Sequence, residues 1–310
     1  MVDLKSYIAN GGVSRHETFT PRYGWLTKGY TAAADDHRIF NSPDSIERLG
    51  VGKNMVQSIR SWCLAFHILK RNEDKSDQSH FGELVPTELG HRLLQDKGWD
   101  PYLEDTASLW LLHWELFVPP LEAASWSLAF NHCTLPTFDN RHLAMSLVSA
   151  AQQYGKLASV FQSSFEKDAS CLIRMYNNGK SETGAETYSP FSQLYILRPS
   201  EEPGEFNFVT SEKTSLPPLI FAACCFAYAA LTQANQRTLS LHKIVYELNS
   251  PGIVFKLSET EAGRLINDAA YQLNEFQFVE LVGNRQIQFD KDPGHLYWQI
   301  LETYYKDKHA

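Results

Sequence analysis

The fold is decided by residues 44–66, which read DSIERLGVGKNMVQSIRSWCLAF. Residues 44–49 are predicted to form one short helix with a capping residue ahead of it. Gly50 and Gly52 favour a tight turn, and a longer amphipathic helix begins at Lys53. A helix presented by such a turn commonly places its side chains in the DNA major groove. The stretch therefore predicts a helix-turn-helix.

The two faces of the longer helix separate clearly. Apolar residues recur at spacings of three and four, which predicts a buried stripe of Val56, Ile59, Cys63 and Phe66. The polar side chains expected on the other side are Lys53, Asn54, Gln57, Arg60 and Ser61. Arginine and lysine suit guanine edges or phosphates, whereas asparagine and glutamine suit adenine. We expect this polar face to contact DNA.

A wing is predicted after this helix. Residues 72–79 are polar and charged, as in a wing tip, residues 81–85 read as a returning strand, and a short helix starts after Pro86. The wing cations expected to contact phosphates are Lys70, Arg71 and Lys75. Glu47 is the only acid between residues 46 and 71, so the segment is locally basic. The alternative is a structural or protein-docking module of the same shape.

The length, net charge and cysteine content of the chain limit how DNA can be bound. The chain has 310 residues, enough for two or three domains, and a formal net charge of -8. An acidic chain is a poor non-specific coat for nucleic acid, so any DNA contact must be local to one patch. Five cysteines without a C-x-x-C spacing argue against a disulfide framework or a zinc site and favour a reducing cytoplasm.

No targeting or membrane segment is expected. Residues 1–10 lack the apolar centre of a signal peptide. The most apolar run, residues 216–231, is shorter than the roughly 20 residues that cross a bilayer. We interpret it as a buried helix and expect a cytoplasmic protein without a membrane partner.

A polar cluster is predicted near the N-terminus. Thr20 can cap a helix over residues 21–35, and His16, Arg22 and Lys28 bring polar groups near its start. One interpretation is an anion or nucleotide contact. The other, which we favour, is a buried polar clasp that joins the N-terminal arm to the helix-turn-helix.

The fold class expected is mainly α with small β wings, in three segments. Residues 1–98 form the N-terminal arm and winged helix-turn-helix, residues 99–236 a central helical domain with a short hairpin near 194–209, and residues 237–310 a C-terminal winged-helix-like domain. His113, within an apolar helix, is expected to be a hydrogen-bonded core histidine.

The C-terminal segment shows its own strong local signals. Ser240 is expected to cap a helix over residues 241–248, Ser258 and Glu261 form a capping box, and Gly283-Asn284 is typical of a hairpin turn. The outward positions of the helix at 259–274 mix acids with Arg264, a poor surface for DNA. We expect this segment to be structural or protein-binding.

The sequence contains none of the familiar catalytic patterns. It lacks H-E-x-x-H, G-x-S-x-G, a kinase motif set, a P-loop and the Rossmann glycines. Nothing in it calls for a cofactor, a metal or catalysis, so we do not expect an enzyme.

Motifs along most of the chain carry a family resemblance. They are HETF at 16–19, RYGWL at 22–26, LGVGKNMV at 49–56, WDPYLED at 99–105, LWLLHW at 109–114 and SPGIVF at 250–255. Together they resemble the bacterial family of unknown function DUF4007, which residues 290–296 follow only loosely. The resemblance implies a place in anti-phage or DNA-modification gene clusters, beside a phosphoadenosine-phosphosulfate-reductase-like sulfurtransferase linked to DNA phosphorothioation.

Three hypotheses follow. The first is a DNA-binding accessory subunit that brings such an enzyme to duplex DNA. The second is a non-catalytic scaffold that docks the enzyme and does not itself bind DNA. The third, the weakest, is an enzyme whose His16, Arg22 and Lys28 handle a nucleotide or a DNA phosphate. A palindromic DNA target would imply a homodimer.

Overall fold

A computed structural model describes residues 2–72, 82–177, 189–210, 212–281 and 283–309. They are mainly helical, with small antiparallel sheets, as predicted. The helices are α1 (Leu4–Ala9), α2 (Trp25–Asp35), α3 (Ser45–Leu49), α4 (Lys53–Ala65), α5 (Glu88–Leu94), α6 (Thr106–Glu115), α7 (Ala124–His132), α8 (Asn140–Ala151), α9 (Gln162–Tyr176), α10 (Pro218–Gln233), α11 (Leu241–Tyr246), α12 (Pro251–Phe255), α13 (Glu259–Gln272) and α14 (Pro293–His309). The strands are β1 (Leu69–Arg71), β2 (Leu84–Pro86), β3 (Leu197–Pro199), β4 (Phe206–Phe208), β5 (Thr238–Ser240), β6 (Phe276–Leu281) and β7 (Asn284–Phe289).

The helix–turn–helix predicted from the quoted stretch is present as α3, a turn and α4. Gly50 ends α3 in the left-handed conformation, with φ 62°, and its N–H bonds to the Glu47 carbonyl. Gly52 is extended and begins α4. The predicted apolar stripe of α4, from Val56 to Phe66, is buried.

A two-stranded ribbon follows α4. Strands β1 and β2 pair antiparallel, with Leu69 opposite Pro86 and Arg71 opposite Leu84. Thr87 then caps α5, because its hydroxyl accepts a 2.9 Å hydrogen bond from the Gly90 N–H. The returning strand expected at 81–85 forms slightly later, and residues 73–81 of the predicted wing tip lie outside the described residues.

Two helices, α6 and α10, lie at the centre of the core. The apolar run at 216–231 folds as α10, which packs against α6, α13 and α14. In α6, the His113 imidazole is 2.8 Å from both the Tyr176 hydroxyl and the Val254 carbonyl oxygen. Burial lowers the pKa of His113 to about 3. His113 is therefore a neutral, hydrogen-bonded core residue, as predicted.

The C-terminal elements match their local signals. Ser240 and Ser258 cap α11 and α13, and Gly283 turns between β6 and β7 with φ 75°. Strand β7 lies between β5 and β6 in one antiparallel sheet. The short hairpin expected in the central segment also forms, as β3 and β4.

One prediction about α2 is wrong. The helix begins at Trp25, not after Thr20, because Gly24 is left-handed and Thr20 lies buried in the preceding arm. Residues Glu17 and Thr18 also have positive φ, so the arm turns sharply before the helix.

A single buried apolar cluster includes side chains from all three predicted segments, among them Ile59, Trp110 and Leu265. Among the described residues, no helix has the length and apolar character to cross a membrane.

Candidate nucleic-acid interface

The first two turns of α4 carry the predicted polar face. Lys53 and Asn54 are exposed, and Gln57 is half-buried. Within the described ranges, none of these three side chains makes a hydrogen bond or an ion pair. Their donors and acceptors face water and are free to meet a ligand.

Ser61 does not belong to this face. The prediction placed it outward, but it is buried. The second half of α4 is covered on more sides than a surface helix would be, since α4 packs against α2, α3 and β1. On a further side, Trp62 contacts Trp126 and donates to the Phe19 carbonyl oxygen.

The ribbon places two predicted cations beside α4. Lys70 and Arg71 lie exposed on β1. The Arg71 guanidinium binds both oxygens of Glu122, at 2.5 and 3.1 Å, so it is held in one orientation. Lys75, the third wing cation, falls outside the described residues.

Arg15 joins this cluster from the N-terminal arm. Its Nη1 donates to Glu122 Oε2 at 2.9 Å. The arm reaches Glu122 because Gly12 pairs with the loop before α7: its N–H bonds to the Leu121 carbonyl and its own carbonyl accepts from Ala124, both at 2.8 Å. A Cβ on Gly12 would lie 2.5 Å from the Glu122 carbonyl oxygen.

Sequence reasoning missed Arg15 and Glu122, because each lies far along the chain from α4. The only sequence signal for this approach is the Gly11-Gly12 pair, which marks a place where backbones come close.

The charges of the cluster act on one another. Burial and the neighbouring Arg71 lower the pKa of Arg60. Burial would raise the pKa of Glu122, but Arg71 and Arg15 outweigh it and lower that pKa. Glu122 is thus ionised among arginines.

The polar residues predicted near the N-terminus have separate partners. His16 Nε2 lies 2.7 Å from Asp168 Oδ1, and both residues are buried. Arg22 stacks over the ring of Trp25, and Lys28 donates to the Leu49 carbonyl at the end of α3. Only His16 of the three is buried, and its partner lies on α9 and not on the helix-turn-helix, so the three side chains do not form the single buried clasp that was expected.

Both oxygens of the Asp168 carboxylate, the partner of His16, are hydrogen-bonded. Its second oxygen accepts from the Ser14 N–H at 3.1 Å and the Ser125 hydroxyl at 2.5 Å. Burial would lower the pKa of His16, but the adjacent Cys171 sulfur and the Asp168 carboxylate raise it to about 10. The imidazole is therefore a cation paired with Asp168 at neutral pH.

The polar face of α13 is different from that of α4. Arg264 binds Glu261 and Asp268, and Glu259 binds Arg285. These side chains satisfy one another, as on an ordinary solvated helix. In the described part of the chain, no group of three or more His, Cys, Asp or Glu side chains is arranged to hold a metal ion.

Two solved structures share this fold. They are titled "SspB crystal structure" and "Magnesium ion-bound SspB crystal structure". Each is 32% identical to this chain with a TM-score of 0.90, over 96% of this chain and 90% of the other. No curated protein matches the chain. A family model described as "Protein of unknown function (DUF4007)" matches residues 13–305, and the chain belongs to that family.

Proposed function

We propose that this protein is the DNA-binding accessory subunit of a bacterial DNA-modification or defence system. Segment α3–α5 would act as a winged helix, with the first turns of α4 in the major groove and the β1–β2 ribbon on the backbone. Lys53, Asn54 and Gln57 would read base edges, and Lys70 would contact phosphate.

One observation carries this proposal: most polar side chains on the solvent side of α4 and β1 make no hydrogen bond to another described residue. Lys53, Asn54, Gln57 and Lys70 have no side-chain partner in the described residues, whereas the acids and Arg264 of α13 are paired. Unused donors beside a helix–turn–helix are what a DNA surface requires, because each base or phosphate contact must be made by a group that is not already bonded.

The SspB structures share the fold of this chain at 32% identity, and the proposed multi-protein system rests on the family resemblance. The family resemblance suggests phosphorothioation as the modification and a phosphoadenosine-phosphosulfate-reductase-like sulfurtransferase as the partner. In that arrangement this chain supplies the DNA contact and the partner supplies the chemistry.

Charge reversal on α4 tests the proposal. We expect Lys53→Glu with Arg60→Glu to abolish binding to a labelled duplex, because both changes put an anion against phosphate. Lys306→Glu, the reversal of one exposed lysine charge on α14, should bind as the wild type does, and Lys53→Glu alone, which changes the charge by the same amount, should bind more weakly. Circular dichroism checks that the variants are folded. Unchanged affinity in the double variant would contradict the assignment.

A second candidate is a scaffold that docks the partner enzyme through the C-terminal elements. It is favoured by Tyr271 on α13, which is 83% exposed, and by Tyr246 on α11, which is also exposed. Exposed tyrosines beside a self-paired acidic face are typical of a protein contact.

The two candidates differ in a co-purification experiment with the sulfurtransferase-like enzyme. If the chain is a scaffold, the pair survives nuclease treatment and Tyr271→Ser weakens it. If DNA joins the two proteins, nuclease separates them and Tyr271→Ser has no effect.

A further inference from the structure

Three arginines from different parts of the chain converge on one carboxylate. Arg15 comes from the N-terminal arm, Arg60 from α4 and Arg71 from the end of β1, and all three act electrostatically on Glu122. Three cations against one anion leave a local excess of positive charge in a chain of net charge -8.

The carboxylate is already saturated by two of the three. Glu122 Oε1 accepts from Arg71, and Oε2 accepts from Arg71 at 3.1 Å and from Arg15 at 2.9 Å. The Arg60 guanidinium has no hydrogen bond or ion pair within the described residues. The Arg60 side chain is half-buried, so its guanidinium is partly restrained by its neighbours while its N–H donors stay available to an acceptor from outside the protein.

The cluster is open on the side that a ligand would approach. The side chains of Arg15 and Arg71 are 52% and 45% exposed, while that of Glu122 is only 8% exposed. Glu122 therefore lies beneath the guanidinium groups and fixes two of them, and solvent meets the arginines. Guanidinium groups held in this way suit the oxygens of a phosphate group, which accept paired N–H donors.

We propose that Arg15, Arg60 and Arg71 form a phosphate-binding site, with Glu122 as the internal counter-ion that positions two of them. Arg60 supplies donors that no described protein group accepts, and the bound phosphate accepts them in place of water. The assignment of its ligand rests on the proposed function: the phosphate is one of the DNA backbone, next to the groove occupied by α4. A free phosphate group has the same chemistry and is the other source to be tested.

Inorganic phosphate is the first probe. We expect phosphate, at ionic strength matched with chloride, to raise the thermal midpoint of the full chain and to lose most of that effect in Arg60→Gln. Arg141→Gln, an exposed arginine of α8, is the matched control and should respond as the wild type does. Glu122→Gln should respond to lower phosphate concentrations, because the competing carboxylate charge is gone.

A phosphate response that is the same in Arg60→Gln and Arg141→Gln, or absent in the wild type, overturns the site.

Salt-dependent duplex binding then separates the two sources of the phosphate group, the DNA backbone and free phosphate. If the phosphate is on DNA, Arg60→Gln lowers the slope of log affinity against log salt by about one. If Arg60→Gln loses the phosphate response and the wild type binds no duplex, the site takes free phosphate and the DNA function fails. If Lys53→Gln alone weakens duplex binding and phosphate has no effect, the DNA function holds without this site.

Discussion

Arg60 and Ser61 are neighbours on α4, yet they have opposite environments. Both were predicted to face DNA; Arg60 lies near two other arginines, whereas Ser61 is buried. Helical spacing located the apolar stripe correctly because it depends only on local geometry. It failed for Ser61 because tertiary packing covers further sides of α4, and sequence spacing carries no information about that.

The His16–Asp168 pair makes a prediction about pH. The folded-state pKa of His16, about 10, lies above the ordinary value of 6.5, so folding takes up a proton. Its stabilisation is complete below pH 6.5 and is lost as pH rises to about 10. We expect the free energy of unfolding of wild type minus His16→Gln to fall by about 2–4 kcal/mol over that range, measured by urea denaturation.

The comparison must be made as a difference between the two proteins. Burial lowers the pKa of Lys213 and Lys256 to about 8. These two lysines therefore make the wild type and the variant more stable as the pH rises, which is opposite to the effect of His16. A wild-type-minus-variant difference that does not change with pH would show that His16 is not a cation in the folded protein.

At the scale of elements, the best predictions rest on short-range chemistry. The caps Ser240 and Ser258, the left-handed Gly50 and the turn at Gly283 are all present, because each needs only a few neighbouring residues. The start of α2 was wrong because the arm before it is held by distant contacts, such as that of Arg174 with the Thr18 carbonyl. Arg15 and Glu122 could not be associated with α4 for the same reason, because their contacts join residues that lie far apart in the sequence.

The turn between α3 and α4 gives a matched pair of variants. Gly50 has φ 62° and Gly52 has φ -66°, and an added Cβ would meet nothing within 4 Å at either. Gly50→Ser should cost about 1 kcal/mol from backbone strain alone. Gly52→Ser should stabilise by about 0.5 kcal/mol, because an N-cap serine can bond to the first turn of α4. Urea denaturation measures both, and equal effects of the two changes would refute this account of the turn.

At the scale of the whole molecule, the charge is unevenly used. The chain is acidic overall, and the acids of α13 are paired with arginines, while Lys53 on α4 and Lys70 on β1 have no ion pair within the described residues. Composition predicts that any DNA contact must be confined to one patch, and the binding of DNA by the surface of α4 and β1 stays a prediction. The division into three domains stays a prediction, beside one apolar core shared by all three segments.

The most direct measurement is the binding of the purified chain to a labelled random-sequence duplex over a salt series, beside Lys53→Glu with Arg60→Glu. We predict affinity that falls steeply with salt in the wild type, because phosphate contacts release counterions, and no binding in the double variant. Absence of binding at low salt, or equal binding by both proteins, would contradict the assignment of DNA recognition to α4.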